Sequence, residues 1–153
     1  MNILELTEKE LKDFFNKYNL IELNAMNMIF EYVNEYDINK IIEIASIVYK
    51  EKEKECYDNY EVPVKSYGFS LLNILDKNSK LNDKELNFLY QLVEDASFYL
   101  SSINDYQDGY KQAIEDFDIA DYPIQIINRL ETSLYNEINN RNQSNKTFVK
   151  VLV

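Results

Sequence analysis

A chain of 153 residues with 46% hydrophobic residues and a net charge of -11 is long enough to bury a substantial core as a single acidic domain over residues 1–153, and it is too apolar for global disorder. With no histidine, Ser-His-Asp and Cys-His catalysis, the carboxylate–histidine di-iron motif and most zinc sites are excluded. One cysteine, Cys56, precludes an intramolecular disulfide, and two glycines and two prolines leave too little turn chemistry for a many-stranded fold.

The first element is announced by Thr7-x-x-Glu10, a capping box preceding the apolar face Leu11, Phe14, Phe15 and Tyr18. After a turn at Asn19, residues Leu20 to Glu35 are apolar nearly all round, which predicts the most buried helix of the fold. Asp37 is suited to cap a third helix from Ile38 to about Tyr57, with Ile38, Ile41, Ile42, Ala45, Val48 and Tyr49 inward. Its second half, Lys50 to Glu55, alternates in sign and reads as solvated. Pro63 marks 58–66 as a loop, with Glu61 to Val64 a candidate extended piece. A short helix over Tyr67–Leu75 then ends in the polar turn 76–80.

Asn82-x-x-Glu85 resembles a second capping box and opens the longest element. Positions 86, 89, 93, 96, 100, 103, 107, 110, 114 and 117 form an apolar stripe interrupted by Gln107 alone, the spacing of one helix face. Glu94, Asp95, Asp105, Asp108, Glu115 and Asp116 lie opposite. A helix over 83–117 would span about 52 Å, so either the bundle is elongated or the helix breaks near Ser102–Asp105; the unbroken stripe favours a continuous, kinked helix. A last helix begins at Pro123, a favoured first-turn position, presents Ile124, Ile127, Leu130, Leu134 and Ile138, and ends near Arg141. The β-branched tail from Thr147 to Val153 reads as an extended segment. The expected fold is an all-α bundle of five to six helices with one long helix and a short extended tail over 142–153.

Residues 1–13 do not read as a secretory signal, and no stretch approaches the roughly 20 apolar residues of a membrane span. A cytoplasmic protein without membrane contact is expected. No phosphate-cradling glycine pattern is possible with Gly68 and Gly109 alone. Aligning Gly109 with the turn glycine of a calcium loop puts Tyr106 where an oxygen ligand is needed, so no metal site is expected. Acid–base chemistry between paired carboxylates is the remaining enzymatic route, and 27 acidic residues produce such pairs by chance. No catalytic residue and no cofactor are assigned, and a non-enzyme is expected.

Excess negative charge is densest in 102–122, where Lys111 is the only base against Asp105, Asp108, Glu115, Asp116, Asp118 and Asp121. Tyr106, Tyr110 and Tyr122 are interleaved. Carboxylates steer a basic protein and rigid aromatic rings supply contact area, whereas the same charge repels nucleic acid directly. The expected function is binding and inhibition of a basic, nucleic-acid-processing partner through Asp105, Tyr106, Asp108, Tyr110, Glu115, Asp116, Asp118 and Asp121. Such a surface would act as a DNA mimic, and by analogy phage-encoded anti-defence inhibitors, anti-CRISPR proteins among them, are often small and acidic. Immunity proteins against nuclease toxins are one alternative. A homo-oligomeric scaffold is another.

Overall fold

The structure, a computed structural model, describes residues 6–58, 73–105 and 123–152, and the side chains of these other than 103–105, 123 and 144–152. The described residues are all-helical: α1 (Glu8–Phe15), α2 (Leu20–Tyr32), α3 (Asn39–Asp58), a 3-10 helix (Ile74–Lys80), α4 (Asp83–Asp105) and α5 (Pro123–Leu152). The five- to six-helix bundle is therefore observed. Helix α4 packs along α5 most extensively and along α2 next, α3 carries α1 and α2, and the 3-10 helix rests on α5.

Packing follows the apolar spacing. Leu86, Leu89, Val93, Ala96 and Leu100 of the stripe are all buried, together with Leu92. Each fully buried Leu contributes about 2 kcal/mol of transfer free energy. Along α5, Ile127, Leu130 and Leu134 meet them, with Ile126 also inside. Helix α2 buries residues on every side, as its continuous apolar character predicts, although α4 finds its larger partner in α5. Phe14 anchors an aromatic cluster, edge-on to Tyr18 at 5.3 Å and to Phe88 at 5.5 Å. In α3 the inward residues are Ile38, Ile41, Ile44 and Val48, while Ile42 is 39% exposed. Residues 41, 44 and 48 lie on one side of the helix, and 42 is turned about 100° away from 41.

Three helices start with reciprocal capping boxes: Thr7 with Glu10, Asn19 with Glu22, and Asn82 with Glu85. In each, the side chain of the first residue accepts from the third helical amide, and the glutamate accepts from the cap amide. Every one of these glutamates also pairs with a lysine outside its own helix: Glu10 with Lys84, Glu22 with Lys77, and Glu85 with Lys17 in the turn after α1. The caps thus join helices as well as begin them. Lys52 does not project into water as its charged neighbours suggest. It donates to the carbonyls of Asn16 and Tyr18, and Lys77 donates to that of Lys17, so the end of α1 is closed by cations, as the helix dipole favours. Helix α3 begins one residue later than expected: the Ile38 carbonyl accepts its first helical bond at 2.9 Å, and Asp37, one residue before, accepts from the Asn39 amide at 3.1 Å.

Two further expectations are corrected. Residues 76–80 are not an open turn but the body of the 3-10 helix, whose Ile74 and Asn78 are buried. The expected extended tail is helical, because α5 continues through Arg141 to Leu152. Once a helix is nucleated, each added residue gains a backbone hydrogen bond, and Thr or Val costs only about 0.5 kcal/mol relative to alanine. No Gly or Pro interrupts 142–152. Arg141 is a clamp instead of a terminus, bonding Asp83 at 2.9 Å, Glu137 at 3.0 Å and the Asn78 carbonyl at 3.3 Å. The 67–72 part of the predicted fourth helix, the loop around Pro63 and the continuation of the long helix beyond Asp105 lie outside the described residues.

Candidate functional site

Of the eight residues assigned to partner binding from sequence, Asp105 ends α4, and its side chain is not among those described. Tyr106, Asp108, Tyr110, Glu115, Asp116, Asp118 and Asp121 lie outside the described residues, as does the calcium-like segment around Gly109. What the structure does place is the N-terminal part of the same acidic face, and it forms a groove.

Helices α4 and α5 run antiparallel. Their shared edge pairs Tyr90 with Tyr135, whose ring centroids are 6.4 Å apart, and Ser97 with Asn128, whose side chains bond at 2.7 Å. Glu94 and Glu131 fall between these two pairs. On the far side of α4 runs the link from α2 to α3, carrying Glu35 and Tyr36. The resulting groove has a volume of about 520 Å³ and is lined by Glu35, Tyr36, Gln91, Glu94, Asp95, Ser97, Phe98, Ser101 and Glu131. Gln91, Glu94, Phe98 and Ser101 follow three- and four-residue steps, so α4 presents them along one outer face. Four lining residues are acids and none is a base.

Asp95 was expected to face outward and does not. It is buried, and its Oδ2 accepts from the backbone amides of Asn34 at 2.6 Å and Glu35 at 3.2 Å. These amides follow the last turn of α2, where no helical carbonyl reaches them, and a carboxylate is a strong acceptor for them. Asp95 therefore fixes the wall of the groove formed by Glu35 and Tyr36.

The remaining carboxylates of the groove have no base among the lining residues. Glu131 is held above the usual carboxylate range by burial and then by the neighbouring charge of Glu94, with the Ser97 hydroxyl offsetting part of this. Tyr90 is pushed up to about 12 by burial, by its hydrogen bond with Glu94, and by the charges of Glu94 and Glu131. Tyr36 rises too, through burial and then through Asp95, Glu35 and Glu94. All three shifts disfavour added negative charge, which is what a partly dehydrated, base-free acidic groove imposes.

Among the described residues, no group of three or more His, Cys, Asp or Glu is arranged to hold a metal ion, and no helix is long and apolar enough to cross a membrane. Chemically, the groove offers acceptors for a cationic group and an aromatic surface beside them. Phe98 was not singled out from sequence. It is 71% exposed, whereas Phe14, Phe15, Phe30 and Phe88 are buried. Its position on the Gln91, Glu94 and Ser101 face was the available signal, since that face is polar on both sides of it. Compared with known proteins, the chain matches no family model, no curated protein and no solved structure.

Proposed function

We propose that this is a small acidic binding protein that docks on a basic, nucleic-acid-processing partner and blocks it, with the α4–α5 groove as part of the contact. The observation that carries the reading is a groove lined by Glu35, Glu94, Asp95 and Glu131 with no base and with an exposed phenyl ring at its surface. Carboxylates set in such a groove steer a positively charged surface toward it and occupy the places where that surface otherwise holds phosphates. The net charge of -11 extends the attraction beyond the groove, and salt weakens it over a Debye length of about 8 Å at physiological ionic strength. The acids and tyrosines of 105–121 extend the same proposed surface in sequence.

The test begins with the tagged full chain, from which a co-purifying basic enzyme is identified and its activity measured with and without the protein. Replacing Glu35, Glu94 and Glu131 together by Gln is expected to weaken capture at least tenfold and to flatten its salt dependence. A triple variant that captures and inhibits as tightly as the parent chain would exclude the groove from the contact.

A further inference from the structure

We infer that the groove receives an arginine side chain of the partner, its guanidinium set between the Glu94 and Glu131 carboxylates and the ring of Phe98. This rests on the binding function proposed above and names the group that would anchor it.

The first observation is the ring itself. Among the described phenylalanines, four have relative exposures between 0% and 8%, and Phe98 stands at 71%. Phe98 lies one helical turn beyond Glu94, so ring and carboxylate share a face, with Cβ atoms about 6 Å apart. An exposed phenyl surface next to carboxylates suits a cation, which the negative face of the ring attracts. An aliphatic side chain seated there would cover the ring but bring no positive charge to the acids.

The second observation is the pair of carboxylates across the seam. Glu94 and Glu131 each raise the cost of ionising a neighbour, and no base lines the groove to relieve them. A single planar cation with five N–H donors can bond both carboxylates while its face lies on the ring. The ammonium of a lysine is a compact, strongly hydrated charge that gains less from the ring and loses more on leaving water. A volume of about 520 Å³ also admits the backbone of the segment that carries the arginine.

The experiment titrates fluorescently labelled octa-arginine and octa-lysine, equal in charge, into the full-length protein at low and moderate salt and reads anisotropy. The variants are Phe98→Ala and the pair Glu94→Gln with Glu131→Gln, with far-UV circular dichroism confirming their helicity. The parent chain is expected to bind octa-arginine about tenfold more tightly than octa-lysine. Phe98→Ala should remove that preference while leaving octa-lysine affinity within about twofold, and the double Gln variant should weaken both peptides. Equal affinities in the parent chain, no binding of octa-arginine, or a preference that survives Phe98→Ala would each overturn the arginine assignment. No binding of octa-arginine by the parent chain would remove both readings; where both peptides bind but the preference is absent or survives Phe98→Ala, a double Gln variant that still weakens both leaves the acidic-groove reading standing without the arginine. If it weakens neither, both readings fall.

Discussion

The junction where α1 meets the 3-10 helix and the groove along the α4–α5 seam use the same residue types, carboxylates and tyrosines, in opposite ways. At the junction, Glu22 and Glu85 are nearly inaccessible, yet each accepts from a cap amide and pairs with a lysine. Lys52 and Lys77 complete it by closing the end of α1, and Lys77 also sits 5.5 Å above the Tyr18 ring. In the groove, Glu35, Glu94 and Glu131 line one surface without a base, and Glu94 and Glu131 interact across the seam. A buried carboxylate that is paired and hydrogen-bonded serves the fold. One that faces another acid across a seam costs the folded state repulsion that the Ser97 hydroxyl offsets only in part and no lining base relieves, and such a site is a candidate for binding. Asp95 marks the boundary, since it lines the groove but spends its Oδ2 on the chain leaving α2.

The largest effect that sharpens this contrast is expected at Glu22. Glu22→Ala removes the partner of Lys77 and frees the Asn19 amide at once, and breaking a buried pair in this way costs about 3 kcal/mol. Urea unfolding followed by circular dichroism measures it. A loss below about 1 kcal/mol would mean that the junction is no better compensated than the groove. Next comes Asp95→Asn, in which a neutral amide replaces the carboxylate that holds the amides of Asn34 and Glu35. A loss of about 2 kcal/mol is expected, with hydrogen exchange accelerated at residues 34 and 35 specifically. Protection unchanged at those two amides would show that the link is held by something else.

Which regions were legible from sequence follows from how local their causes are. The capping boxes at Thr7 and Asn82 and the buried stripe of α4 are visible because each depends on residues a few positions apart. Lys52 and Asp95 were misread because both had been placed by their sequence neighbours. Lys52 sits in an alternating charge run and Asp95 on a polar helix face, and each is turned inward by a backbone group more than 30 residues away. The tail over 142–152 was misread because β-branched residues were weighed without the helix that precedes them. The groove's aromatic element was missed for a related reason: Phe98 looks like any core phenylalanine until the packing of α4 leaves it outside. Of the acids expected on the outer face of the long helix, Glu94 is exposed there and Asp95 is buried, and which acids share a groove depends on α5 and the α2–α3 link meeting α4.

A smaller effect of opposite sign is expected at the junction. The Tyr18 hydroxyl is fully buried and has no hydrogen-bond partner among the described residues. Burial, with the charges of Glu85 and Glu22, drives its ionisation far above the usual phenol range, so it stays a protonated donor. Tyr18→Phe removes an unsatisfied polar atom and keeps the ring packing against Phe14, so stability should rise by about 1 kcal/mol. A loss of that size would show that the hydroxyl has a role in the charge network and that the junction's compensation includes it.

The smallest expected effect addresses the groove directly. Glu131 has a folded-state pKa above its unfolded value, from burial and then from Glu94. Below the unfolded pKa the carboxyl is neutral in both states and imposes no penalty. As pH rises through the folded pKa, the unfolded chain releases the proton more readily, and stability falls. Glu131→Gln removes that loss. The variant should melt about 1–2 °C higher than the parent at pH 7, an increment typical of relieved surface repulsion, and the gain should vanish near pH 4. If binding uses this carboxylate, the same substitution that stabilises the free protein weakens its hold on a basic partner, so the two measurements move in opposite directions. A variant that is destabilised at pH 7, or stabilised equally at pH 4 and 7, would remove the uncompensated-acid account of the groove and with it the contrast between the two regions.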